Sequence, residues 1–129
     1  DTEMPERMPE DQWCSVDVIT CAAPNLRVIP NNAMNPGTGA PVKVSDRELP
    51  ELHKKQSRHM LEAAAVNGAE ILVLGAFDCG AFQNKPEVVA RAYRETIEEF
   101  APYFKRIEFA VYCSPRDSKN YEVFRRGLG

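Results

Sequence analysis

The stretch ILVLGAFDCGAFQNKPEVVARAY, residues 71–93, decides the fold. It opens on a continuous Ile-Leu-Val-Leu run, too short for a helix and suited to a strand buried on both faces, as the strands of a parallel sheet are. A loop with two glycines and two phenylalanines follows. Asn84 is then placed to cap a helix and Pro86 to occupy its first turn. The apolar side of that helix carries Val89, Tyr93, Ile97 and Phe100, and the helix ends before Pro102.

Working outward, RIEFAVYC (106–113) reads as another strand and NYEVFRRGL (120–128) as a short terminal helix. Upstream, residues 49–67 place Leu49, Leu52, Met60, Ala64 and Ala65 roughly at helical spacing, and Asn67-Gly68 supplies a stop. SVDVIT (15–20) is β-branched and apolar, a short strand ending at CAAPN. Residues 1–14 read as an acidic, proline-containing arm or loop, and 15–129 as one folded unit. Within that unit, residues 28–46 form a long loop rich in Pro, Gly and Asn. Strands alternating with helices predict an α/β layered fold with helices packed on a mostly parallel sheet. Three strands make it thin, because sheets usually have about five or six.

Composition narrows the classes. The 129 residues, 43% hydrophobic and 27% charged, fit a single globular domain. A net charge of -3 argues against nucleic acid as a partner. No run approaches a membrane span, and the polar, acidic opening is unlike a signal peptide. The sequence therefore reads as soluble, intracellular and cytoplasmic. Cys14, Cys21, Cys79 and Cys113 are spread without a C-x-x-C pair, as thiols in a reducing compartment would be. His53 and His59 lie six apart, off the spacing of two ligands on one helix face, so neither a metal nor a redox cofactor is implied.

In open α/β sheets, ligands sit beyond the carboxyl ends of the strands, and residues 75–82 lie there. Gly75 and Gly80 let the main chain approach a ligand, and N–H groups leading into the following helix can face an anion. Phe77 and Phe82 could cover a ribose or base, or could simply plug the core edge. The glycine spacing is neither the dinucleotide fingerprint nor a P-loop. Cys79 and Cys113 lack the arginine six residues on that a cysteine phosphatase loop needs, those positions holding Lys85 and Lys119. Asp78 is the loop's only acid. Glu98 and Glu99 fit a solvated helix surface.

Taken in order, SVDVITCAAPN, EILVLGAFDCGAFQNKPEVVARAYRE, FKRIEFAVYC and NYEVFRRGL resemble the C-terminal half of the microbial-type poly(ADP-ribose) glycohydrolases, a branch of the macrodomain superfamily. The specific part is the GAFDCGAF-x-N-x-P block. The resemblance implies a three-layer α/β/α fold that binds ADP-ribose in a cleft above the sheet. It implies that Gly75, Ala76, Phe77, Asp78, Cys79, Gly80, Ala81 and Phe82 wrap the diphosphate and distal ribose, with Phe82 positioning the ribose. Cys113, Ser114 and Asn120 fall where macrodomains contact the adenosine part, and Pro24 and Asn25 border the cleft.

The family's catalytic glycine-rich loop and Gln-Glu-Glu triplet precede the matched region, and residues 1–129 contain no Gln-Glu-Glu. With its thin sheet and a first residue, Asp1, that is not methionine, the chain is expected to be an incomplete macrodomain lacking its N-terminal half. No catalytic residue is assigned, and the chain alone is expected to be inactive. Three functions stay open. The chain can be part of an ADP-ribose hydrolase, a non-catalytic ADP-ribose-binding module, or a structural domain that meets its missing half or a second chain. The partner is ADP-ribose, an ADP-ribosylated protein or poly(ADP-ribose).

Overall fold

A computed structural model describes residues 6–27, 43–77 and 79–129. The expected loop at 28–46 therefore lies largely outside the described residues, as do residues 1–5 and Asp78. Helix α1 (Glu48–Val66) is preceded by a capping box: Ser45 Oγ donates to Glu48 Oε2 at 2.6 Å, and Glu48 N–H donates to Ser45 Oγ at 3.2 Å. Gly68, at φ +74, takes the left-handed conformation that stops the helix, and Asn67 Nδ2 donates to the Ala63 carbonyl at 2.8 Å. The buried stripe of α1 runs Leu49, His53, Ser57, Leu61 and Ala64. Two of its members are polar, and apolar periodicity does not reveal them.

Strand β1 (Ile71–Gly75) pairs in parallel with β2 (Arg106–Ala110), in a register running from Ile71 opposite Arg106 to Gly75 opposite Ala110. Helix α2 (Pro86–Phe100) makes the crossover, and helix α3 (Lys119–Leu128) closes the order. Pro86 occupies the first turn of α2, as the sequence indicates. Asn84 does not cap it: Lys85 holds the cap position without a side-chain bond, because the Asn84 side chain is turned inward and buried.

The pleat sorts the sheet into two unlike faces. Leu72, Leu74, Ile107 and Phe109 meet the helices: Leu61 and Ala64 of α1, Val89, Ala90, Tyr93 and Ile97 of α2, and Phe124 of α3. A relay of ring contacts crosses these layers, from His53 to Phe77 at 5.8 Å, Phe77 to Tyr93 at 6.4 Å, Tyr93 to Phe109 at 5.2 Å and Phe109 to Phe124 at 5.8 Å. Helices α1 and α2 are further joined by a 3.0 Å hydrogen bond between Ser57 and Thr96, and by ion pairs from Lys54 to Glu95 and from Arg58 to Glu99. Glu98 pairs with Arg94 along α2, so the two adjacent glutamates belong to a solvated helix surface.

The opposite sheet face is bare among the described residues. Ile71 is 60% exposed and Val73 66%, so β1 is covered on one face where its apolar run indicated two. The architecture is α/β with a parallel sheet, which among the described residues has two strands. Residues 15–20, expected as a strand, form none: among the described residues no strand pairs with them, and Val16 and Val18 are exposed. Among the described residues no helix is long and apolar enough to cross a membrane.

Candidate functional site

The parallel register carries the loops that follow β1 and β2 away from the same end of the sheet. The first loop, residues 76–85, is tightly folded: Cys79 N–H donates to Ala76 O at 3.2 Å, and Gln83 N–H to Gly80 O at 3.4 Å. Phe77 at φ +41 and Gln83 at φ +57 hold left-handed backbone without being glycine, a strained arrangement that the surrounding contacts must enforce. For Phe77 the enforcement is visible, since its ring lies edge-on between His53 and Tyr93.

The two phenylalanines thus differ. Phe77 is engaged with the core, whereas the half-buried Phe82 stands beneath the Arg27 guanidinium, 5.4 Å from the ring centroid. The Cys79 side chain is buried against Val89 and Tyr93, while its main chain stays in the loop. Among the described residues, the N–H groups of Gly80, Ala81 and Phe82 donate to no other protein group. Three successive main-chain donors can cradle an anion.

Gly75 and Gly80 are informative for what they do not need. A Cβ at either would meet nothing within 4 Å among the described residues, and neither glycine has a left-handed φ. Turn geometry and internal packing therefore give no reason for a missing side chain. Among the described residues, nothing occupies the space beside Gly80, next to N–H groups that those residues leave unbonded.

Residues 22–27 lie against this loop. Leu26 N–H donates to Phe82 O at 3.0 Å, and Asn84 Nδ2 donates to Pro24 O at 2.9 Å. Pro24 is buried, while Asn25 accepts from the Arg27 backbone N–H and Nε–H. This segment and the glycine loop are one assembly. Beyond β2, Cys113 is exposed, and Ser114 and Asp117 close a small antiparallel bridge. Asn120 lies in the first turn of α3. The structure joins Pro24 and Asn25 to the loop. It places Cys113 and Ser114 after β2, at the same sheet end. Among the described residues no three His, Cys, Asp or Glu side chains are gathered to hold a metal.

From sequence, His53 is weighed only as a metal ligand and its place in the core is missed: it is 2% exposed, and its Nε2 lies 3.1 Å from Asn84 Oδ1. Burial holds its imidazole pKa below the usual value, and the Asn84 bond opposes that only in part. The signal available was a histidine on the stripe that repeats from Leu49 to Leu61 at intervals of four.

No protein-family model matches the chain, and no curated protein matches it. Solved structures do. The poly(ADP-ribose) glycohydrolase of Deinococcus radiodurans in complex with ADP-ribose aligns at 37% identity and a TM-score of 0.57, over 64% of this chain and 35% of that one. A second crystal form of that complex aligns at 32% identity and 0.56, over 75% of this chain and 47% of that one. A point mutant of the same enzyme aligns at 34% and 0.59. The chain spans about a third to a half of the length of the solved relatives that it matches.

The buried His53 makes stability depend on pH. A base whose folded pKa lies below its unfolded value of about 6.5 leaves stability whole above that value and removes it as the pH falls through the folded pKa. The lowered carboxylates Asp46, Glu48 and Glu95 act the same way only in the more acidic carboxylate range. Urea midpoints are therefore expected to fall between pH 7.5 and 5.5, and His53→Gln is expected to flatten that fall. An equal slope in both proteins would contradict the assignment.

Proposed function

Because this chain belongs to the poly(ADP-ribose) glycohydrolase-like family, we propose that it forms the ADP-ribose-binding wall of such a hydrolase. The observation that carries this reading is the pairing of an unneeded glycine with unused donors. Gly80 requires no special backbone conformation and fills no tight space, yet it adjoins three main-chain N–H groups that no described protein group uses. A diphosphate answers both features: it needs donors, and it needs the main chain within reach.

In this reading residues 75–82 hold the diphosphate and distal ribose through the main chain, and Phe82 offers its face to the ribose. Asp78, within that span, lies outside the described residues. Cys113, Ser114 and Asn120 border the adenosine end, and Pro24 and Asn25 back the loop. Catalysis comes from a Gln-Glu-Glu segment outside these 129 residues, so the chain binds without hydrolysing. The binding-module alternative differs only in having no such segment.

Calorimetric titration with ADP-ribose tests this. One saturable site is expected, and Gly80→Leu should weaken it by at least about tenfold, or 1.4 kcal/mol, while leaving the melting temperature unchanged. The same preparation should release no ADP-ribose from polymer. Undiminished binding by Gly80→Leu would remove the loop from the site, and turnover by the chain would require a different acid.

A structural role rests on a separate observation, the bare sheet face, where Ile71 and Val73 stand exposed opposite Arg106 and Glu108. A sheet face that leaves two aliphatic side chains of one strand in water invites cover from further polypeptide, on its own chain or a second copy. Sedimentation should show concentration-dependent association that Val73→Lys abolishes. A strict monomer at all concentrations would speak against this role.

A further inference from the structure

Among its bonds Asn84 reaches both His53 and Pro24, and chemistry dictates which way round. The Pro24 carbonyl can only accept, so the Asn84 NH2 group must face it, at 2.9 Å. The Asn84 Oδ1 is thereby left toward His53 Nε2, at 3.1 Å, and being an acceptor it requires the imidazole proton on Nε2. His53 Nδ1 then carries the lone pair and has no partner among the described residues. Both side chains are 2% exposed, and they come from α1 and from the end of the glycine loop.

The segment they reach is held at alternate residues. Gln56 Nε2 donates to Ala22 O at 2.7 Å, Asn84 to Pro24 O, and Leu26 N–H to Phe82 O at 3.0 Å. Arg27 ends the segment over the Phe82 ring. Burying an imidazole and an amide brings little stability over apolar residues of the same shape, because the gain in hydrogen bonds roughly offsets the desolvation. What the polar pair adds is direction. A leucine pair would fill the space without choosing where residues 22–27 lie.

We infer that the relay from His53 through Asn84 to Pro24 is a latch that holds residues 22–27 against the glycine loop and so fixes the position of Phe82. His53 and Asn84 are then positioning residues for the ADP-ribose face, an inference that rests on the function proposed above. Neither touches the ligand. They act by keeping the Leu26 bond to Phe82 closed and the Arg27 guanidinium over its ring.

The test uses the 129-residue chain and reads the latch and the ligand separately. Long-range proton–nitrogen spectra should show His53 as the Nε2–H tautomer at neutral pH; the Nδ1–H form would overturn the relay. In His53→Leu, exchange of the Leu26 amide proton should accelerate about tenfold while amides in β1 remain protected, and ADP-ribose affinity should drop by a similar factor. His53→Gln, which can still donate to Asn84 Oδ1, should restore both. Should His53→Leu fail to fold, Asn84→Asp serves instead, since it keeps the acceptor for His53 but cannot donate to Pro24. Unchanged Leu26 protection in these variants overturns the latch, whether or not ADP-ribose binds. Faster exchange with unchanged affinity overturns its role in positioning. A wild-type chain that does not bind ADP-ribose but shows the exchange effect retains the latch and loses the proposed function.

Discussion

The parallel pairing of β1 with β2 is the constraint on which the rest depends. Two parallel neighbours cannot be joined by a tight turn, so the chain must return through a crossover, and α2 is that crossover. Its apolar side then has one place to go, the face made by Leu72, Leu74, Ile107 and Phe109, and α1 and α3 pack beside it. The same pairing sends the loops after Gly75 and Ala110 out of one end of the sheet. Strand direction thus puts both loops at the end where open α/β sheets place their ligand sites.

Much of this was legible in the sequence because it rests on local chemistry. The short Ile71 to Leu74 run, Pro86 at a first helical turn and Gly68 as a stop each act within a few residues. What failed to show depends on distant partners. Asn84 sits where a cap belongs, but Pro24 and His53, 60 and 31 residues away, claim its side chain. His53 occupies a core position that a polar residue disguises. The β-branched run at 15–20 has strand propensity, yet a strand exists only where another offers hydrogen bonds, and among the described residues none does. Phe77 and Phe82 look alike in sequence and are separated only by packing, since His53 and Tyr93 engage the first.

The candidate site has an economy of side chains. Its distinctive groups are main-chain N–H donors beside a glycine that local structure does not require, which is why residue types alone leave ligand binding and simple turn chemistry undecided. The surroundings of Gly80 support the ligand-binding reading proposed above. A turn glycine would show a left-handed φ or a crowded Cβ position, and Gly80 shows neither. The cost of the strained backbone at Phe77 is met by the packed layer beneath, where the aromatic relay and the buried polar relay converge on His53.

The measurement that bears most directly on this account is amide mapping of the 129-residue chain by proton–nitrogen correlation spectra during titration with ADP-ribose. The account predicts that the amides of Gly80, Ala81 and Phe82 shift most and saturate together, the signature of donors meeting a diphosphate. Saturable shifts confined to other residues, or no shift in this loop at ligand excess, would contradict it.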